Sequence, residues 1–418
     1  MDSWLRTPEL RTVSVDKLRP GMFVHDLQTG WFGHSFWRRR FLIEDEETIA
    51  RLRKELIREV VIDVANGLDV DPVLFAPGPD DTGQRFAALD QRYREIVQER
   101  AQKSRNSVSL DEERSRMRFL RQESIRVVRD LMGNARVGRQ VDVQCVEPVI
   151  EKMMGSVMRH QDALIPLLRL KDHNQYSFQH SVSVAALSLA FGATLGFDEE
   201  TLRQVALGAL LHDIGKAHTP EDILNKPGRL SEDEMIRMRE HVVDSHRILA
   251  ETPGVTPLAL ESASFHHERF DGSGYPYGLV GDDIPIHAQV VSIADAYDAM
   301  TSGRCYQRCI EPTEALRRMF GAANQHFREE MLQAFTRTVG IYPVGSLVRL
   351  DNEHLAVVLE VDRTNLLKPR LQVIFDIRSR CYVSPYELNL ARRRAGPSIV
   401  DFEPYARWGI DPQRIQVH

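Results

Sequence analysis

The chain has 418 residues, of which 42% are hydrophobic and 27% are charged, and its formal net charge is −6 at pH 7. This length allows roughly two to three domains with sizeable cores, and the composition is ordinary for a globular protein. The negative net charge argues against a broad basic surface, so the chain is not predicted to bind a nucleic acid polymer.

The N-terminal residues lack the basic start and apolar run of a signal peptide, and we expect no apolar stretch of about 18 residues anywhere in the sequence. We therefore expect a cytoplasmic protein that does not contact the membrane. Four cysteines are too few and too scattered for a disulfide framework: Cys145, Cys305, Cys309 and Cys381. Although Cys305 and Cys309 are close enough to share a metal, reduced thiols are the favoured interpretation.

Residues 1–82 are predicted to form a small α+β domain with a regulatory role. Short apolar runs at 14–18, 22–25 and 60–64 favour strands, and the apolar spacing within 44–57 predicts a helix between them.

Aromatic and basic residues lie side by side within this domain. Trp31, Phe32, Phe36 and Trp37 precede the basic run 38–40, a composition that can bind nucleotides by stacking and charge. A domain surface with a few packed aromatics is the more frequent outcome for such a cluster.

Proline, glycine and aspartate are abundant over 71–83, which predicts a domain boundary there. A charged helical linker is predicted over 83–140, with a helix break at 133–138. Helix-like periodicity then continues over 141–340, and β-like runs separated by turn residues follow over 341–418. The predicted fold is mainly α, an all-helical bundle with the small N-terminal α+β domain and a short β-rich C-terminal appendage.

Histidines and acids recur in the helical block where amphipathic helices would point them inward. His180 begins a stripe that continues at Val184, Leu187 and Phe191, so its ring is predicted to face the core. A capping box at 231–234 predicts the start of the helix that carries His241. The inward candidates are His180, the doublet His212 and Asp213, His241, the doublet His266 and His267, and Asp295.

Each candidate has an ordinary structural explanation when taken alone, because a single inward histidine is more often a hydrogen-bonded core residue than a ligand. Together, five histidines and two aspartates would bury a large amount of unpaired polarity without a metal. The sequence therefore predicts two divalent cations with mixed nitrogen and oxygen ligands, Asp213 shared between them, and open positions for water and substrate.

Three segments of this block closely resemble the HD-GYP family, bacterial phosphodiesterases for cyclic di-GMP. They are 212–216 (HDIGK), 266–276 (HHERFDGSGYP) and 295–301 (DAYDAMT), and the resemblance covers roughly residues 170–335. The N-terminal domain resembles the poorly characterised domain that often precedes HD-GYP modules.

The resemblance implies a role for each matching residue. One metal would be held by His180, His212, Asp213 and Asp295, and Asp213 would bridge to a second metal held by His241, His266 and His267. Iron is the metal that the resemblance implies first, and manganese is the alternative. Lys216 and Arg304, with Arg308 nearby, would contact substrate phosphates, and Tyr275 would lie beside the guanine-bearing substrate.

Two positions depart from the family pattern. Some members place a glutamate for a third metal where this chain has Tyr176, so two metals are expected. Gln307 occupies a position that is often basic, which implies weaker or rearranged phosphate binding.

The activity that the resemblance implies is hydrolysis of cyclic di-GMP to pGpG, GMP or both, with Asp213 and Lys216 as catalytic residues. A water shared by two cations would attack the phosphorus, while fixed positive charge stabilises the developing negative charge. The alternatives are a catalytically silent module that binds cyclic di-GMP and signals through protein partners, and a general HD-type nucleotide phosphohydrolase. A homodimer is compatible with each of these three functions.

Overall fold

The structure is a computed structural model that describes residues 10–15, 18, 22–26, 41–43, 48–49, 59–63, 110–160, 176–302, 310–363, 365–392 and 396–411. The chain divides into two compact units, residues 1–84 and 85–418.

The first unit contains an antiparallel sheet with the strand order β1-β4-β2-β3. Its strands are β1 (Leu10–Ser14), β2 (Phe23–Asp26), β3 (Phe41–Leu42) and β4 (Glu59–Asp63). Alternating residues such as Val13, Val24, Val60 and Ile62 are buried together on one face.

The strands predicted over 22–25 and 60–64 are confirmed within a residue, whereas the strand predicted over 14–18 is wrong. Residues 10–14 pair with β4, and the backbone N–H of Leu18 instead donates to the carbonyl of Val15 at 3.2 Å. Val15 and Leu18 therefore lie outside β1. The aromatic and basic cluster at 31–40 and most of the helix predicted over 44–57 lie outside the described residues.

The second unit is dominated by helices, which confirms the prediction of a mainly α protein. The helices that the structure describes are α1 (Leu110–Arg136), α2 (Glu147–Arg159), α3 (Tyr176–Leu195), α4 (Glu199–Leu211), α5 (Glu221–Leu224), α6 (Glu232–Ala250), α7 (Pro257–Ser264), α8 (Ile286–Thr301), α9 (Pro312–Gly321) and α10 (Glu329–Val339).

Helix α3 lies at the centre of this bundle and is surrounded by α1, α2, α4, α8 and α10. Its mean hydropathy of 1.2 over 18 residues is high enough for a membrane span, contrary to the sequence-based expectation, but 94% of that window is buried inside the protein. The apolar residues of α3 therefore serve as bundle core, and its own polar residues, including His180, are enclosed with them.

The predicted helix break at 133–138 begins too early, because α1 continues through Gly133 to Arg136. A helical glycine costs only about 1 kcal/mol relative to alanine. Burial of Val128, Leu131 and Ala135 on the same helix outweighs that cost.

The C-terminal appendage is a five-stranded antiparallel sheet with the order β8-β7-β6-β5-β9. The strands β5 (Leu347–Leu350), β6 (His354–Glu360) and β7 (Arg370–Asp376) match the predicted runs. The other two are β8 (Cys381–Asn389), whose side chains are mostly exposed, and β9 (Ile399–Phe402), whose side chains are exposed or half-buried. Neither has the apolar alternation that would reveal a strand in the sequence.

Candidate metal centre

All seven predicted ligands are brought to one region by five helices. Helix α3 carries His180, the end of α4 is followed by the first doublet, α6 carries His241, the end of α7 is followed by the second doublet, and α8 carries Asp295. The ligand atoms form two groups, each spanning no more than 4.8 Å: the first is His180, His212 and Asp213, and the second is His241, His266 and His267. The remaining ligand, Asp295, places an oxygen 2.9 Å from Nε2 of His180.

The carboxylate of Asp213 lies between the two groups. Its Oδ2 is 3.3 Å from Nε2 of His212, and its Oδ1 is 3.3 Å from Nε2 of His241. Because each oxygen faces a different histidine group, this side chain is placed to bridge two cations.

Backbone carbonyls orient three of the histidine rings. The Nδ1 atoms of His212, His241 and His266 lie 2.7, 2.6 and 2.6 Å from carbonyl oxygens three residues earlier in the chain. A carbonyl can only accept, so each Nδ1 carries the proton and each Nε2 presents its lone pair to the centre. This is the tautomer that a metal ligand requires.

Four buried atoms at the centre have no hydrogen-bond partner within the described structure: Nε2 of His212, His241 and His266, and Oδ1 of Asp213. Each unpaired buried polar atom costs about 1–3 kcal/mol. Divalent cations would satisfy all four at once, and imidazole nitrogen with carboxylate oxygen is a donor set suited to iron, manganese or zinc. The residues present therefore fit a pair of divalent cations.

The electrostatic setting favours neutral imidazoles in the second group. Burial, reinforced by neighbouring His267, holds the pKa of His266 well below its usual range. Burial likewise lowers the pKa of His267 to about 3. Both rings are therefore unprotonated at neutral pH and available as ligands.

The carboxylates remain charged in the same setting. Burial alone would raise the pKa of Asp213, but His212 and Lys216 outweigh burial and hold the pKa well below its usual value. For Asp295, burial is outweighed in the same way by His180. Burial opposes protonation of His212, yet the charge of Asp213 raises the pKa of this ring.

The turn after α4 packs directly on α6, and Ser245 joins the two. Ser245 Oγ donates to the carbonyl of His212 at 2.7 Å and accepts from the backbone N–H of Gly215 at 2.9 Å. A Cβ atom on Gly215 would lie 2.1 Å from the carbonyl oxygen of His241. The absence of a side chain at this position therefore lets Asp213 approach His241.

Glu268 holds the loop that follows the histidine doublet. Its buried carboxylate accepts from the backbone N–H of Tyr277 at 2.7 Å and of Leu279 at 3.0 Å. The backbone N–H of Tyr275 donates to the carbonyl of His267 at 3.2 Å. The loop is thus tied to the metal centre through both a side chain and the backbone, a role of Glu268 that sequence patterns did not reveal.

The structure describes two of the residues predicted to contact the substrate, Lys216 and Tyr275. Lys216 lies within the centre, with Nζ 2.5 Å from Oδ2 of Asp213. The Tyr275 ring lies 4.7 Å from the His267 ring, and burial raises the pKa of its phenol, which stays protonated. Arg304, Arg308 and Gln307 are outside the described residues, so their roles stay predictions.

The ring of Tyr176 stacks on His180, with centroids 5.9 Å apart and planes inclined by 10°. The position where some relatives carry a glutamate is therefore occupied here by an aromatic contact to a candidate ligand.

Asp298 is a functional residue that sequence reasoning missed. Its Oδ2 is 2.6 Å from Nδ1 of His180, and its side chain is buried. The available signal was its position three residues after Asp295 on α8, which places both carboxylates on one helix face. Asp298 thus orients His180 as carbonyl oxygens orient the other rings.

Replacing this orienting carboxylate is expected to weaken the centre without removing a ligand. Asp298→Asn keeps the side-chain shape but loses the charge that favours a proton on Nδ1 of His180, so we expect metal affinity to fall about 10- to 100-fold. Metal titration of the variant monitors the affinity. Asp222→Asn, on the short surface helix α5, is the matched control, and unaltered metal affinity in Asp298→Asn would contradict the assigned role.

Comparison with known proteins agrees with this geometry. A family model described as HD domain matches residues 163–330, and one described as a domain of unknown function (DUF3391) matches residues 10–146. A cyclic di-GMP phosphodiesterase of Pseudomonas aeruginosa is 37% identical over 402 residues, which cover 96% of this chain and 94% of that protein. A 3′3′-cGAMP-specific phosphodiesterase of Vibrio cholerae is 32% identical over 224 residues, 51% of this chain and 52% of that protein.

Among solved structures, an HD-GYP-type protein of Bdellovibrio bacteriovorus matches with a TM-score of 0.46 and 18% identity, over 78% of this chain and 98% of that one.

The helical bundle and its histidine–aspartate centre define a phosphohydrolase of the HD type. The near full-length similarity, together with the three segments that carry the ligands and the Gly-Tyr-Pro loop, identifies the family more closely. The chain belongs to the HD-GYP family, preceded by the N-terminal domain that the second family model describes.

Proposed function

We propose that this chain hydrolyses the phosphodiester bonds of cyclic di-GMP at a centre of two divalent cations. The observation that carries the proposal is the position of Asp213, whose two oxygens face separate groups of inward-pointing histidine nitrogens. A carboxylate shared between two cations is the arrangement used for in-line displacement at phosphorus.

The proposed ligands are the seven predicted ones, with Asp213 shared, and the proposed metals are iron or, alternatively, manganese. Bound in this way, the cations would lower the pKa of a shared water and neutralise charge on the phosphoryl oxygens.

The residues of the chain contribute fixed charge and orientation. Lys216 places its ammonium group 2.5 Å from Asp213, where it can stabilise the charge that develops on the phosphoryl group. Asp298 and the three backbone carbonyls hold the imidazole rings in place, so little reorganisation is needed during the reaction.

Relatives named as phosphodiesterases favour turnover over the silent binding module. The same comparisons favour two cyclic dinucleotides, because relatives from Vibrio cholerae are named as specific for 3′3′-cGAMP. We place cyclic di-GMP first because the relative that matches nearly the whole chain is named for it. The cytoplasmic location, the homodimer and signalling through protein partners stay predictions.

The test is turnover by the full chain purified without oxygen and loaded with iron or manganese. We expect cyclic di-GMP to be converted to pGpG or GMP faster than 3′3′-cGAMP, and nucleoside triphosphates to be poor substrates. Binding of cyclic di-GMP without turnover in the loaded protein would support the silent module instead. Preference for triphosphates would indicate a general nucleotide phosphohydrolase.

A further inference from the structure

A guanidinium that no motif predicted lies beside the loop tyrosine at the metal centre. The Cζ atom of Arg239 is 5.0 Å from the centroid of the Tyr275 ring, and that ring is 4.7 Å from the ring of His267. Taken together, these two distances place the guanidinium no more than about 10 Å from the His267 ring. Arg239 is therefore close enough to contact a substrate that is held at the metals.

Arg239 lies on α6, the helix that also carries the candidate ligand His241. His241, two residues later on the same helix, is buried and points to the other ligands, whereas Arg239 is exposed. Arg239 therefore projects from the helix that supplies a ligand, and its guanidinium stays accessible from solvent.

The charge of Arg239 is also unpaired. Neighbouring arginines on α6 have carboxylate partners: Arg237 pairs with Glu240, and Arg247 pairs with Asp244 at 2.7 Å. No carboxylate among the described residues pairs with Arg239, and its one described contact is the Tyr275 ring. Its hydrogen-bond donors are thus free to bind an anion.

Lys216 differs in this respect, because its ammonium group is paired with Asp213 inside the centre. A cyclic dinucleotide carries two phosphates, and only the one being cleaved can lie at the metals. The second phosphate needs a separate cation, and a guanidinium can bind phosphate through two parallel hydrogen bonds.

We propose that Arg239 binds the phosphate of the cyclic dinucleotide that is not being cleaved, and that Tyr275 holds the guanidinium in position. This inference rests on the proposed function and assigns a substrate-binding residue on α6. The cation–π contact restricts the arginine side chain before the substrate arrives, which reduces the entropy lost on binding.

The experiment uses the metal-loaded full chain and bis(p-nitrophenyl) phosphate, a diester with a single phosphate. Cyclic di-GMP and inorganic phosphate are added as competitors, so that binding of the dinucleotide is measured whether or not it is cleaved. The variants are Arg239→Ala and Arg239→Lys, and Arg237→Ala is the matched control on the same exposed helix.

For Arg239→Ala we expect the inhibition constant of cyclic di-GMP to rise about 10- to 100-fold, which is the value of a charge-assisted hydrogen bond or pair of bonds. The inhibition constant of inorganic phosphate should change less than about threefold. Arg239→Lys should fall between the wild type and Arg239→Ala because the charge is kept and the bidentate geometry is lost. Arg237→Ala should match the wild type.

An equal rise for cyclic di-GMP and inorganic phosphate would overturn the inference, because the variant would then be acting on the metal centre. An unchanged constant for cyclic di-GMP in Arg239→Ala would overturn it as well. If the wild type binds cyclic di-GMP competitively without cleaving it, the proposed hydrolysis fails while the comparison of variants still decides the role of Arg239. If cyclic di-GMP does not compete in the wild type, both proposals fail.

Discussion

Asp213→Asn is expected to reduce phosphodiester hydrolysis by about a thousandfold or more, because it removes the carboxylate that is placed to be shared by the two cations. The amide has the shape of the carboxylate, but it carries no charge and offers a single acceptor oxygen. In the wild-type centre one oxygen is 3.3 Å from Nε2 of His212 and the other is 3.3 Å from Nε2 of His241. One amide cannot replace both contacts, so the variant should bind fewer than two cations per chain.

Metal analysis and turnover of cyclic di-GMP, measured on the same anaerobic preparation, test this expectation. Far-ultraviolet circular dichroism reports whether the helices are retained. Asp233→Asn is the matched control, because Asp233 is an exposed aspartate in the first turn of α6, the helix that carries His241. Full turnover and two cations per chain in Asp213→Asn would contradict both the bridging role and the proposed mechanism.

The positions of the ligands could be predicted from the sequence because each lies on a helix rich in apolar residues or shortly after one. Helix α3 is an example: it is buried on all sides, so the histidine that begins the stripe to Phe191 is buried with it. The hydrogen-bond partners of the rings were not predictable in the same way. Three of them are backbone carbonyls, whose availability depends on local geometry, and the fourth is Asp298.

The contacts of the turn after α4 and of the loop after the second histidine doublet were not predictable either. The sequence reveals the glycine at 215 and the glutamate at 268, but the contacts that give them a role come from other elements. Ser245 on α6 binds the turn after α4, and Glu268 binds backbone groups about ten residues later. Such contacts are set by how elements pack, which periodicity within one element does not encode.

Strands β8 and β9 were not predicted from the sequence for a different reason. Strand β8 is mostly exposed, with Tyr382 and Tyr386 on its surface. The pairing of this strand with β7 is defined by backbone hydrogen bonds and by Leu388, which packs in the core of the sheet. A strand with so few buried side chains gives little apolar alternation for sequence analysis to detect.

Gly215→Ala is expected to lower the free energy of unfolding by about 3–5 kcal/mol and to reduce hydrolysis by at least 100-fold. The new Cβ would lie 2.1 Å from the carbonyl oxygen of His241 and 2.5 Å from the backbone nitrogen of Ser245. Both atoms belong to the backbone of α6, so neither can move aside as a side-chain end could. The turn and the helix would have to separate, which moves Asp213 away from His241 and disrupts the hydrogen bonds of Ser245.

Denaturant unfolding and turnover of the metal-loaded protein measure the two effects. Gly133→Ala is the matched control, because Gly133 lies within helix α1 and a Cβ there meets no atom within 4 Å. That control should stabilise the chain by about 0.5–1 kcal/mol through its higher helix propensity and leave turnover unchanged. If Gly215→Ala is as stable as the wild type and binds two cations with full activity, the close approach of the two segments is not what positions Asp213. If activity is lost while the free energy of unfolding is unchanged, the chain accommodates the methyl group by displacing only the turn that carries Asp213. Metal analysis would then show fewer than two cations per chain.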